Sequence, residues 1–209
     1  MGRCLGPVCR QCRREGMKLF LKGLRCETAK CPIEKQSRNK VPGMHNWRRG
    51  RNTDYGVRLR EKQKVKRYYG VLEKQFRIYF DQATKAVNTG EALLCILERR
   101  LDNVVYKMNF TDSRRDARQL INHGHIYVNG TRVDVASFLV KIGDKVTIGK
   151  GENTQKMIKA KIEAIAGSPT QNWIEVNSAT PEGTVVAFPS REDVQIPVEE
   201  HLIVEFCSK

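Results

Sequence analysis

Apolar positions recur with a helical period over the middle of the chain. After Gly70, Leu72, Phe76, Tyr79, Phe80, Ala83 and Val87 come at intervals of three and four residues, and Leu93, Leu94, Leu97, Leu101 and Val104 repeat the pattern. That spacing puts each set on one face, so two amphipathic helices are predicted. A further helix precedes them. Asp54 is placed to cap it, Tyr55, Leu59 and Tyr68 anchor it, and Arg58, Arg60, Lys62, Lys64, Lys66 and Arg67 cover most of its surface. Cations crowded in this way repel one another, and a phosphate-rich surface is the natural compensation. The Tyr68-Tyr69 pair fits packing better than stacking on bases, because helical spacing accounts for it.

The period changes over residues 112–133. Ser113 followed by Asp116 resembles a capping box, opening a short helix with Ala117, Leu120 and Ile121 as its buried stripe and Arg114, Arg115 and Arg118 on the exposed side. Gly124 is placed to end this helix in a left-handed conformation. Ile126 and Val128 then alternate inward on a strand that turns back at Asn129-Gly130. A helix, a sharp turn and a hairpin set an arginine row beside a hairpin edge, which suits A-form RNA, read largely through shape, phosphates and 2′-hydroxyls. Further on, Lys145–Ile148 continues the sheet, Met157–Ile165 reads as a lysine-rich helix, and Trp173–Val176, Gly183–Phe188 and Leu202–Phe206 read as strands or extended segments. From Lys40 to Thr53 helix breakers predominate, giving an extended basic linker.

Charge sharpens this picture. The 209 residues carry 38 Lys+Arg against 23 Asp+Glu, a net +15, which favours a polyanionic partner over a small metabolite. Residues 1–70 hold 20 basic and 5 acidic side chains, so the whole excess lies in that third; residues 162–209 hold 2 basic and 8 acidic. Such segregation turns one end toward phosphates and the other toward solvent or a protein neighbour. The longest apolar run, Ala92–Leu97, is far too short to cross a bilayer, and Cys95 within it reads as a small core residue. The opening residues lack a secretory apolar core, so a cytoplasmic protein is expected.

Cysteines crowd the first 31 residues. The spacing Cys9-x2-Cys12, then Cys26-x4-Cys31, matches a closed tetrahedral zinc site built from thiolates, structural because it leaves no position for water. Cys4 adds a fifth thiol that can replace a ligand or stand beside the site. Neighbouring cations, among them Arg10, Arg13, Arg14, Lys18, Lys22, Arg25 and Lys30, are expected to lower the thiol pKa values. His123 and His125 lack a nucleophile, a carboxylate pair or a third ligand nearby and read as turn residues or phosphate contacts rather than as a catalytic or metal site. No P-loop, dinucleotide fingerprint or internal repeat is present.

Several blocks together resemble one family. They are Met1-Gly2-Arg3 with Gly6-Pro7 and Cys9; Arg13-Arg14-Glu15-Gly16; Asp54-Tyr55-Gly56; Leu59-Arg60-Glu61-Lys62-Gln63-Lys64; Arg99 with Leu101-Asp102-Asn103-Val104-Val105-Tyr106; Ala117-Arg118-Gln119-Leu120; His125-Ile126 with Val128-Asn129-Gly130; and Glu199 with His201-Leu202-Ile203-Val204-Glu205-Phe206. These resemble bacterial-type ribosomal small-subunit protein four across nearly the whole chain. Ala136 stands where the family commonly has proline, and Cys4 where it often has an aromatic.

The resemblance implies an α+β protein: a helical N-terminal domain with a zinc-binding arm, and an inserted small α/β RNA-binding domain with a short antiparallel sheet. The expected segments are a basic arm with a four-thiol zinc site over 1–45, a helical rRNA-binding domain over 46–98 joined by the tail at about 196–209, the RNA-binding domain over 99–161, and strands extending it over 162–195. Implied partners are small-subunit rRNA, bound directly as an early nucleator of the body, mRNA where it enters the subunit, ribosomal protein five, and other small-subunit proteins, without a membrane or a small-molecule substrate. The mRNA contact would fall on Arg48, Arg49 and Arg51, and the contact with protein five, linked in the family to decoding accuracy, on the acidic C-terminal region. Candidate RNA contacts are Arg13, Arg14, Lys18, Lys22, Tyr55, Arg58, Arg60, Lys62, Lys64, Arg67, Ser113, Arg114, Arg115, Arg118, Gln119, His123, His125 and Asn129. Two other classes fit less well. An RNA-modifying enzyme needs a separate catalytic domain for which 162–209 leaves no room, and a zinc-dependent DNA-binding regulator needs a major-groove reading helix and a dimer seam.

Overall fold

The computed structural model describes residues 2, 5–46, 53–149, 151–164, 171–177 and 180–208. Cys4, Arg48, Arg49 and Arg51 lie outside them. The chain divides into a unit formed by 2–93 with 196–209 and a second formed by 94–195.

In the first unit, α1 (Cys9–Glu15) ends at Gly16, whose φ of 71° gives the left-handed cap that glycine takes without strain. A 3-10 turn follows at Gly23–Cys26. The basic helix is α2 (Asp54–Tyr68), and its cap is Thr53 rather than Asp54: the Thr53 side chain accepts from the Gly56 N–H at 3.1 Å, leaving Asp54 in the first turn, where its charge complements the dipole. Tyr68 and Tyr69 are buried edge to face, with ring centroids 5.0 Å apart, as expected of packing residues. The next helix, α3 (Glu73–Ala83), buries Phe76, Tyr79, Phe80 and Ala83, but Leu72 and Val87 at either end of the predicted stripe are exposed.

The second predicted amphipathic helix is two helices, α4 (Thr89–Glu98) and α5 (Leu101–Lys107). The break has a local cause. Arg100 is extended and its guanidinium grips Asp102 through two contacts, Nε to Oδ1 at 3.0 Å and Nη2 to Oδ2 at 2.7 Å, while the Asn103 amide donates to the Glu98 carbonyl at 2.9 Å and satisfies the end of α4. Cys95 is half-buried rather than a core residue.

The unit spanning 94–195 continues with α6 (Arg114–Asn122), β1 (Ile126–Val128), β2 (Thr131–Arg132), β3 (Lys145–Ile148), α7 (Glu152–Ala164), β4 (Ile174–Asn177) and β5 (Glu182–Val185). The strands form one antiparallel sheet in the order β2-β1-β3-β5-β4, with Ile126 opposite Ile148 and Val128 opposite Val146. Its inner face, through Ile126, Val128, Val146, Ile148, Ile174 and Val185, packs with Leu101, Val104, Val105, Ala117, Ile121 and Trp173 in one core.

Residues 202–206, expected as extended, are instead helical. Here α8 (Glu200–Cys207) lies along α2, with Phe206 against Tyr55 at 5.4 Å between rings and Glu205 paired to Arg58 at 2.6 Å. The β-branched run favoured a strand locally; packing against a helix overrides that preference. None of the described helices is long and apolar enough to cross a membrane.

Candidate nucleic-acid interface

The predicted Ser113–Asp116 cap forms at the start of α6. Ser113 Oγ accepts from the Asp116 N–H at 3.3 Å and donates to Asp116 Oδ2 at 2.9 Å, so Ser113 is buried and serves the helix start. The arginine row is divided. Arg114 and Arg118, expected on the exposed side, are buried: Arg118 joins Arg100 on the Asp102 carboxylate, with its Nε 3.1 Å from Oδ2, and Arg114 Nε donates to Asn103 Oδ1 at 2.7 Å with its guanidinium 4.6 Å over the Tyr106 ring. A buried carboxylate shared by two guanidiniums locks α6 onto the start of α5. Arg115, Gln119 and His123 remain exposed on the outer side of α6.

Gly124, with φ of 74°, passes the chain into β1, and Asn129 and Gly130, with φ of 49° and 79°, form the hairpin turn. Asn129 braces the sheet: its amide donates to Asp144 Oδ1 at 2.8 Å and its Oδ1 accepts from the Lys145 N–H at 2.9 Å. Arg132 is a surface residue that sequence reading passed over. A Cβ on Gly124 would clash with its guanidinium, so the Arg132 side chain lies directly across the glycine, in the turn where the His123 and His125 rings stand 6.2 Å apart. The available signal was the turn itself, since Asn129-Gly130 sets Arg132 opposite Tyr127.

The cations of α2 are not open either. Arg58 pairs with Glu205, Arg60 and Arg67 with Glu15, Lys62 and Lys66 with Glu73, and Lys64 with Glu61. Lys62 is itself buried, with its ammonium 4.8 Å over the Phe206 ring. Burial pushes the Glu15 carboxyl above its ordinary range against the pull of Arg67 and Arg60. For Glu73 burial acts the same way, but hydrogen bonds from Lys62 and Lys66 outweigh it and hold the carboxyl below its ordinary range. Tyr55 is exposed at the rim of a cleft of ≈ 780 Å³ that Asp54, Arg58, Glu73, Asp81, Phe206 and Cys207 also line.

Most of the arm's basic side chains face solvent, Arg10, Arg14, Lys22, Arg25 and Lys30 among them; Arg13 is half-buried and donates to the Lys40 carbonyl at 3.3 Å, while Lys18 pairs with Glu34. Cys9, Cys12, Cys26 and Cys31 line one small cavity. In donor chemistry this set suits zinc: four thiols, with the Lys22 N–H donating to Cys26 Sγ at 3.3 Å. No group of three or more His, Cys, Asp or Glu side chains among the described residues is arranged to hold a metal ion. At Cys12 and Cys26 the surroundings do not lower the thiol pKa values as the basic sequence suggested. Desolvation raises the Cys12 and Cys26 thiols, against backbone hydrogen bonds at Leu19 and Lys22 that pull them down.

Exposed arginine, amide and imidazole groups on a short capped helix, a left-handed glycine and a hairpin backed by an antiparallel sheet define a compact RNA-binding domain. Comparison with known proteins agrees. The family described as "S4 domain" matches residues 99–146, and "Ribosomal protein S4/S9 N-terminal domain" matches residues 3–98. The chain is 53% identical to small ribosomal subunit protein uS4 of Halothermothrix orenii and 51% identical to that of Desulfitobacterium hafniense, over the full length of each chain. It is likewise 54% identical over full length to uS4A of Alkaliphilus metalliredigens. The chain belongs to the uS4 family of small ribosomal subunit proteins, whose members are named as ribosomal proteins and not as enzymes.

Proposed function

We propose that this protein is a structural constituent of the small ribosomal subunit that binds its rRNA directly, as an early nucleator of the body. The observation that carries the reading is the division of labour on α6: Arg114 and Arg118 are held inside by Asp102 and Asn103, which fixes the helix and presents Arg115, Gln119 and His123 outward beside the hairpin turn. A face set in advance binds RNA without the cost of ordering it. The basic arm, through Arg10, Arg14, Lys22 and Arg25, adds phosphate contacts that carry no sequence information.

Further roles follow the family. Arg48, Arg49 and Arg51 contact mRNA where it enters, and the C-terminal region contacts ribosomal protein five and so bears on translational accuracy; the exposed carboxylates of Asp54 and Asp81 beside α8 suit a basic partner segment. Zinc is held by Cys9, Cys12, Cys26 and Cys31, which close on it from the walls of their shared cavity and staple an arm with little core of its own.

The test is binding of purified protein to a small-subunit rRNA fragment and to duplex DNA over a range of salt, with metal content measured on the same sample. Tight, salt-sensitive preference for the rRNA and about one zinc per chain, the number a four-thiolate site takes, is expected. Equal affinity for both nucleic acids defeats the rRNA reading; metal-free protein that folds and binds rRNA unchanged defeats the zinc reading.

A further inference from the structure

The helix α2 concentrates positive charge, yet each of its basic side chains reaches a carboxylate. Two of these acids do double duty. Glu73, from α3, holds Lys62 at 2.5 Å and Lys66 at 3.0 Å. Glu15, the last residue of α1, holds Arg60 at 3.4 Å together with Arg67, and only 1% of its side chain is exposed. A carboxylate set between two cations presents them with what a phosphodiester would offer, a pair of anionic oxygens in one plane. Such an acid also withholds its cations from RNA, since sequence-independent affinity grows with the number of phosphates neutralised and a cation already paired releases no counterion.

We propose that Glu15 and Glu73 are specificity-determining residues that act as built-in phosphate surrogates: they occupy Arg60, Arg67, Lys62 and Lys66 and suppress indiscriminate RNA binding by α2. Recognition is thereby left to the exposed residues of α6 and the hairpin turn. This rests on the RNA-binding reading above. It accounts for a helix that carries many cations and few free ones, and it gives the two acids a task beyond holding helices together. A purely structural tie would be indifferent to which polyanion is offered.

The experiment compares the full chain with Glu15→Gln and Glu73→Gln, using poly(U) and a small-subunit rRNA fragment as probes over a range of salt. Glu15→Gln frees Arg60 and Arg67, so the slope of log K against log salt for poly(U) should steepen by about 1.4, from roughly 0.7 per single-strand phosphate contact, and Glu73→Gln, which frees Lys66 while Lys62 stays buried beneath Phe206, should steepen it as well. Poly(U) affinity should rise several-fold at low salt while rRNA affinity rises less, so the preference for rRNA shrinks. Because Gln at position 15 can also loosen α1, Arg60→Gln and Arg67→Gln are added to Glu15→Gln, which should return the slope to the wild-type value. Unchanged slopes in both single variants, or steepening that survives the loss of Arg60 and Arg67, overturn the proposal. A wild-type chain with no preference for rRNA over poly(U) overturns the rRNA reading instead, and the slopes still judge the two acids.

Discussion

Two helices, α2 and α6, look alike in sequence: each carries a row of basic side chains, and each invites the same reading as an open cationic surface. They resolve their charge differently. On α2 every pair keeps at least one side chain within reach of water, from Lys64 and Glu61, 16% and 14% exposed, to Arg60, 35% exposed on a buried Glu15. On α6 the partner is interior: Asp102, 1% exposed, takes both Arg100 and Arg118. In the first case water screens the pairs and they chiefly set which charges are free; in the second the carboxylate is needed for the fold, because a guanidinium left alone in the core is costly. A count of arginines therefore does not locate the charge that meets RNA.

The sharpest way to break this contrast is to remove one acid that pairs with each helix. Asp102→Ala should lower stability by about 3–5 kcal/mol, the cost of stranding a buried charge, whereas Glu61→Ala should cost only about 0.2–1 kcal/mol. Urea denaturation of both variants checks it, and equal losses would erase the distinction. Within α6, Arg118→Ala should lower the melting temperature, while Arg115→Ala should leave melting unchanged, weaken rRNA binding and reduce the salt slope by about 1. Calorimetry and salt titration on the same pair of variants separate the two roles. The smallest effect is on pH. Glu73 has its carboxyl lowered in the fold, so its pairs stabilise above the ordinary glutamate range and are lost as pH falls through the lowered value; Glu15, raised by burial, contributes fully below that range and loses its contribution as pH rises through the raised value. On acidification Glu73→Gln should lose less stability than the wild type and Glu15→Gln more, measured as melting temperature against pH.

What was legible in the sequence was local chemistry. Ser113 and Asp116 lie three residues apart, and Gly124 and Asn129-Gly130 need only their own backbone preferences, so the box, the helix end and the turn could be drawn without knowledge of the core. The family blocks spread along the chain led to the small-subunit assignment that full-length relatives support. What stayed hidden depended on distant partners. Arg114, Ala117, Arg118 and Ile121 follow the i, i+3, i+4, i+7 spacing of a buried face, but two of those positions are arginine, and the side chains that make them tolerable, Asp102 and Asn103, come from another helix. The break between α4 and α5 escaped for the same reason, since apolar spacing runs on through the Arg100 that interrupts it. The strand or extended segment expected at 202–206 is a helix because Glu205 and Phe206 answer to Arg58 and Tyr55, far earlier in the chain.

That last pairing bears on how the molecule is made. Because α8 completes the unit begun by residues 2–93, a chain growing from its amino end can close the 94–195 unit while the earlier one still waits for its final helix. Until residues 196–209 are synthesised, Arg58 lacks Glu205 and the hydrophobic rim around Tyr55 has no Phe206 to shelter it. The first segment to leave the ribosome thus waits for the last to complete it, and in the interval Arg58 alone among the α2 cations is without its acid.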